Sequence, residues 1–272
     1  KNQKLKKNKT LGVKMLTKYF FDKSIISYFK KKISFLKRER GLYALKAGTE
    51  VEDMNFDEIA FFRKISDKLV PLIVKIGGPE ARNDIRECIK NKVDVIVAPM
   101  IESEYSFINF YKSFLDLKPE NLNIKFSINI ETITAVKNLN QIINNKYFKN
   151  ISSVIIGRTD LAGSMGLDVD DECVYKTCKK IISSVKAKDP SLFISIGGKI
   201  KFSNIEKIIT YLKPELINTR NMVFKVSEFK SFEFIKEYLS FEIELYKHFK
   251  NCISYKKSLY EKRIKDNELR CK

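Results

Sequence analysis

Seven short apolar runs recur along the chain: LYALKAG (42–48), PLIVKIGG (71–78), VDVIVAPM (93–100), NIKFSINIE (123–131), SSVIIGR (152–158), LFISIGGK (192–199) and ELINTRNMVF (215–224). Between them lie stretches with helical periodicity, among them NFDEIAFFRKISDKL and EARNDIRECIKNK. Strands buried on both faces read as near-continuous apolar runs, and the spacing leaves room for a crossover helix each time, so the pattern predicts a parallel sheet. Seven such strands favour a closed (β/α)8 TIM barrel over an open doubly wound sheet, with the eighth strand expected within residues 1–40 or just after Asn221. At 272 residues the chain is long enough for one such barrel with terminal appendages.

The flanks read differently from the middle. Residues 1–40 open on a basic tail, KNQKLKKNK, and continue as a helical segment in which Phe20, Phe21, Ile25, Ile26, Phe29 and Ile33 recur among lysines. A helix covering one end of the barrel is the plain reading of that segment; a basic helix lying on a membrane surface is the alternative. Residues 41–226 hold the strand-helix alternation, the expected catalytic domain. Residues 227–272 form a helical extension too long for one barrel helix, expected to cap the barrel or join a homo-oligomer.

Composition narrows the function classes. A chain that is 44% hydrophobic and 31% charged can build a large core. Its five cysteines, Cys88, Cys173, Cys178, Cys252 and Cys271, are scattered without a zinc spacing, which suits structural thiols and a cytoplasmic protein. No apolar run approaches the roughly 18 residues of a membrane span, so no stable membrane insertion is expected. The formal charge of +19 comes from lysine spread along the whole chain with no nucleic-acid motif, so no nucleic-acid partner is expected.

In an α/β barrel, ligands sit at the carboxyl ends of the strands. Reading only those ends gives Glu50 and Glu52, Lys75, Glu102, Glu131, Arg158 and Asp160, Lys199, and Arg220. Glu131 ends an apolar strand just before a helical pattern, where it either favours the positive end of the helix or serves a ligand. With Asp160 one strand later, it offers hard oxygen ligands suited to Mg²⁺ or Mn²⁺. In IIGRTDLAGSMG, Gly157 and Gly163 are expected to let a loop turn tightly and approach a ligand, with Asp160 at its tip.

SINIETITAV followed by SSVIIGRTDLAGSMGL resembles the paired signature of the HpcH/HpaI aldolase and citrate lyase beta-subunit superfamily. IVAPMIES, PLIVKIGG and GTEVED resemble further family segments, in the expected order over about residues 42–226. The resemblance implies a (β/α)8 barrel in which Glu131 and Asp160 hold a divalent metal against the carboxylate and carbonyl of pyruvate or a related 2-oxo acid. Carbon–carbon bonds are then made or broken through the enolate. An acyl-CoA lyase using a CoA thioester, or a barrel that has lost catalysis and serves as a binding component, are the alternative readings.

Two departures bear on the chemistry. Lys75 stands where family members commonly carry Arg, and it lacks the bidentate fork; Lys75, Arg158 or Arg82 is left to supply the positive charge. The sole histidine, His248, lies in the C-terminal extension and reads as a packing residue. The base then falls to metal-bound water or to Glu50 or Glu52. Gly157, Glu102 and Arg220 complete the expected substrate contacts.

Overall fold

The computed structural model describes residues 19–272; the basic tail lies outside the described residues. Eight strands close a barrel in sequence order: β1 (Leu42–Gly48), β2 (Leu72–Lys75), β3 (Val95–Ala98), β4 (Lys125–Ile130), β5 (Ser153–Gly157), β6 (Phe193–Gly197), β7 (Leu216–Asn218) and β8 (Met222–Lys225). Strands β1 to β7 run parallel with helices between them, a TIM-like barrel.

The eighth strand follows Asn221, but it runs antiparallel to both β7 and β1. The run 215–224 is therefore a hairpin, and the all-parallel barrel expected from the sequence is corrected at this strand. Its turn is closed by Thr219 N donating to Met222 O at 2.9 Å and is held from outside the strands as well. The buried Glu242 carboxylate accepts from Thr219 Oγ1 and Asn221 N, both at 2.6 Å.

Alternation along the strands divides the polar from the apolar residues. In β4, Phe126 packs against Phe110 and Phe114 of helix Glu104–Leu117, on the outer layer. Ser127 and Asn129 face the barrel interior, where they meet Ser153, Ser195 and Asn218 around a space of about 20 Å³. Ser127 Oγ lies 2.7 Å from Ser153 Oγ, and Ser195 Oγ donates to Asn218 Oδ1 at 2.9 Å. The barrel centre sets these hydroxyl and amide groups among Ile73, Val97, Ile155, Leu216 and Val223, and burying them there is tolerated because they hydrogen-bond largely to one another.

Helix Lys23–Arg40 buries Phe29, Ile33 and Leu36 and ends where Gly41 turns into the left-handed region. It packs on the flank of the barrel through Arg40 to Glu237 and Lys32 to Glu244 of helix Phe234–Cys252, rather than over an end. The Phe20 ring stacks on His248, and burial holds that imidazole below its usual pKa, in keeping with a packing role. All five cysteines are free thiols. Among the described residues no helix is long and apolar enough to cross a membrane. The final helix, Lys257–Arg270, spans about 21 Å at 1.5 Å per residue and lies along the barrel mouth. It joins the β1 loop, through Arg263 Nη2 donating to Glu52 O at 2.5 Å, to the β6 loop, through Arg270 Nε donating to Ile200 O at 2.8 Å.

Candidate active site

The carboxyl ends of the strands open on a cavity of about 240 Å³. Glu131 and Asp160 both line it, together with Gly157, Lys75, Glu52 and Arg220.

Glu131 does not cap a helix. That task falls to Thr132, whose Oγ1 accepts from Ala135 N at 3.1 Å at the start of helix Ile133–Lys137. The Glu131 carboxylate instead turns inward and is almost fully buried. Oε1 accepts from Met100 N at 3.0 Å and Oε2 from Asn129 Nδ2 at 2.7 Å. Met100 holds a left-handed φ of 49° to deliver its N–H, a strained conformation at the end of β3. Burial raises the Glu131 pKa and the nearby Asp160 charge raises it further, against the lowering pull of Lys75 and the two hydrogen bonds.

The stretch read as a glycine-rich loop is a helix, Arg158–Met165, that begins directly after β5. Asp160 sits in its first turn, where a carboxylate is favoured by the helix dipole. Gly157 is required by Glu131: a Cβ at 157 would stand 2.5 Å from Glu131 Oε2. Gly163 lies within this helix rather than in a tight turn, and a Cβ there would meet nothing within 4 Å.

Across the cavity Lys75 Nζ pairs with Glu50 Oε2 at 2.9 Å. Burial alone would lower its pKa, but Glu131, Glu52 and Glu50 push it well above the usual lysine value, so this ammonium stays charged. Burial would likewise raise Glu52, yet Lys46 and Lys75 pull its carboxyl down to about 2. Lys46 Nζ lies 3.0 Å from Glu52 Oε1.

Three of the expected groups, Arg158, Glu102 and Arg82, do not line the cavity. Arg158 is fully buried away from the cavity; its guanidinium donates to Val169 O and Asp170 Oδ1, both at 2.7 Å, and lies over the Tyr175 ring. Glu102 accepts from Thr132 Oγ1 at 2.6 Å and supports the chain after Glu131 instead of lining the cavity. Arg82 pairs with Asp116 at the surface and is also off the cavity. Conversely, Lys46, Asn129, Asp266 and Arg270 line the cavity without having been singled out. For Lys46 a signal existed: a lysine in the middle of the apolar run LYALKAG must face either solvent or a polar barrel centre.

Among the described residues no three His, Cys, Asp or Glu side chains converge as a metal cage. A pair of carboxylates is nevertheless a donor set that suits Mg²⁺, which commonly takes one or two carboxylates and fills its remaining positions with water and substrate. The buried Glu131 and the half-buried Asp160, both carboxylates on one cavity, fit a dication for that reason.

A TIM-like barrel with acids and a charged lysine gathered around a cavity at its carboxyl mouth has an enzyme-type site where such barrels carry theirs. The chain belongs to the HpcH/HpaI aldolase/citrate lyase family, whose model matches residues 54–197. Solved structures with the same fold include an HpcH/HpaI aldolase/citrate lyase family protein from Burkholderia cenocepacia J2315, at 12% identity and TM-score 0.52, covering 66% of this chain and 87% of that one. An HpcH/HpaI aldolase from Desulfitobacterium hafniense DCB-2 aligns at 13% identity and TM-score 0.53, covering 68% of this chain and 88% of that one. No curated protein sequence matches.

Proposed function

We propose that the protein is a divalent-metal-dependent carbon–carbon lyase or aldolase acting on a 2-oxo acid through a pyruvate-type enolate. The observation that carries this reading is the pair Glu131 and Asp160, two carboxylates from adjacent strand ends facing one cavity beside a permanently charged lysine. A Mg²⁺ or Mn²⁺ held by these two carboxylates would supply Lewis-acid polarisation of the substrate's carbonyl and carboxylate.

The chain's own groups account for the rest. Met100 N–H and the Asn129 amide fix the Glu131 carboxylate before any ligand arrives. The Lys75 ammonium lines the same cavity and would offer positive charge to a substrate oxygen on which negative charge develops, and its raised pKa keeps it a cation rather than a proton acceptor. Glu52, held ionised between Lys46 and Lys75, is a weak base and acts by keeping both lysines in place. The other acid of the β1 loop, Glu50, is partly exposed and pairs with Lys75 beside the cavity, which leaves it as the carboxylate within reach for proton transfer.

The test is exchange of pyruvate methyl protons for deuterium in D₂O, followed by NMR. Exchange should require Mg²⁺ or Mn²⁺, stop on chelation, and be lost in Glu131→Gln and in Asp160→Asn. Exchange undiminished in both variants would overturn the assignment of these residues. Absence of exchange in the wild-type protein with either metal would remove the pyruvate version.

A further inference from the structure

The end of the barrel away from the mouth carries a groove of about 830 Å³. Pro71 and Asp94, which line it, directly precede β2 and β3, so the groove lies at the amino ends of these strands, opposite Glu131 and Asp160. One wall is helix Lys23–Arg40 and the other is the close of helix Phe56–Ser66 with the loop that follows it. Lys37 Nζ donates to Leu69 O at 2.6 Å and ties the two walls together. A neighbouring hollow of about 500 Å³ shares Lys30, Asp67 and Lys68 with the groove and adds Lys23 and Lys31, which extends one basic trough along the same helix.

Lys30, Arg63, Lys64, Lys68 and Lys92 line the groove against two acids, Asp67 and Asp94. Asp94 is already engaged, since its Oδ2 accepts from Arg63 Nη1 and Leu72 N, both at 2.7 Å. Arg63 Nε is buried without an acceptor among the described residues, and a buried donor left unmatched is costly. The four lysines form no ion pair among the described residues, and residues 1–18 contain no Asp or Glu that could supply one. Lys68 and Lys92 stand just past the ends of helices Phe56–Ser66 and Arg82–Lys90, with left-handed φ of 62° and 52° where glycine is the less strained residue. Each helix C-terminus carries roughly half a negative charge, so the two offset about one of the three excess cations and leave about two unbalanced.

We propose that this groove is a second binding site, separate from the mouth, for a small anion bearing two or more phosphate groups. Lysine acts as a point charge with rotatable donors, which suits the many oxygens of a phosphate chain better than the planar pair of a carboxylate. A concave groove, rather than a flat basic face, favours a compact soluble anion over a lipid surface. The charge of the whole chain does not account for such a site. At 0.15 M salt, charges separated by more than about 8 Å are largely screened, so lysines scattered over the surface add little and the cations gathered around one groove act together.

The test is calorimetric titration of inorganic tripolyphosphate into the full chain at about 0.15 M salt without Mg²⁺. The wild-type protein should bind one tripolyphosphate, and Lys68→Gln/Lys92→Gln, two exposed side chains of the groove, should weaken binding at least roughly tenfold. Lys176→Gln/Lys180→Gln removes the same charge from exposed positions of helix Glu172–Lys188 and should leave the affinity unchanged. Asp67→Asn, which removes the acid that makes no ion pair, should tighten binding, a gain that a damaged fold would not give. Vesicles of phosphatidylcholine containing phosphatidylinositol bisphosphate identify the source of the phosphates. Tripolyphosphate binding without vesicle capture supports a free compound, and capture that depends on Lys68 and Lys92 supports a headgroup held in the same groove. No binding of tripolyphosphate or vesicles by the wild-type protein, or equal losses in the two double variants, would overturn the site.

Discussion

Glu131 and Gly157 occupy adjacent strand ends so closely that a Cβ added at 157 would lie 2.5 Å from Glu131 Oε2 and 2.9 Å from its Cβ. The barrel does not need Gly157 for its backbone conformation, since its φ is −87°; the glutamate needs it. Gly157→Ala is therefore expected to displace the Glu131 side chain and to weaken Mg²⁺ binding at least tenfold, with the far-ultraviolet spectrum unchanged. Calorimetric titration with Mg²⁺ checks this, and wild-type affinity in the variant would show that the contact is tolerated.

The buried Glu131 carboxylate has its pKa raised in the fold, chiefly by burial. A carboxyl whose folded pKa lies above its unfolded value destabilises the fold while ionised, and the cost fades as pH falls through the folded value. Glu131→Gln should thus keep or raise the thermal midpoint at pH 7.5. The Asn129 amide can turn to offer Oδ1, which has no partner, to the new N–H group. Saturating Mg²⁺ at about 100 times Kd should stabilise the wild-type protein by about 2.7 kcal/mol and leave the variant unmoved. An equal Mg²⁺-induced rise in both would argue against Glu131 as a ligand.

Glu52 gives the opposite pH dependence. Its carboxyl is depressed to about 2, because Lys46 and Lys75 outweigh burial. The stability it contributes is complete above the unfolded value near 4.5 and is lost as pH falls toward 2, on the order of 3 kcal/mol in all. Urea unfolding between pH 6 and pH 3 should show a shallower decline in Glu52→Gln than in the wild-type protein. Parallel pH profiles would rule out this carboxyl as a contributor.

Lys256 binds the fully buried Glu58 at 2.9 Å and also reaches Asp53 O, tying the start of the final helix to the loop that carries Glu50 and Glu52. Breaking a buried pair on one side leaves an uncompensated charge, so Lys256→Met should cost about 3–5 kcal/mol in urea unfolding. Adding Glu58→Gln should recover much of the loss. Additive losses in the double variant would mean that the two side chains are not coupled.

The acids of the site were legible in the chain because a strand end is a local signal: an apolar run stops, and the residue that stops it stands at the mouth. That rule found Glu131 and Asp160 and misplaced Arg158, two residues before Asp160. The helix begins at once after Gly157, and successive helical residues turn by about 100°, so Arg158 and Asp160 point to different sides. Glu102 failed for a related reason: it follows β3 but spends its carboxylate on Thr132.

Local periodicity determined the parallel strands, the helices between them and the acidic mouth, because burial on both faces leaves its mark residue by residue in the order of the chain. The direction of β8 was decided by the tertiary structure: polar residues at Thr219–Asn221 look like a strand end in the sequence and become a hairpin turn once Glu242 and Tyr246 grip them from a distant helix. The same holds for Arg270, which no strand-end pattern could single out. Its place at the cavity follows from a helix drawn across the mouth by Lys256, Arg263 and Arg270 itself, through contacts with the β1 and β6 loops that lie far away along the chain.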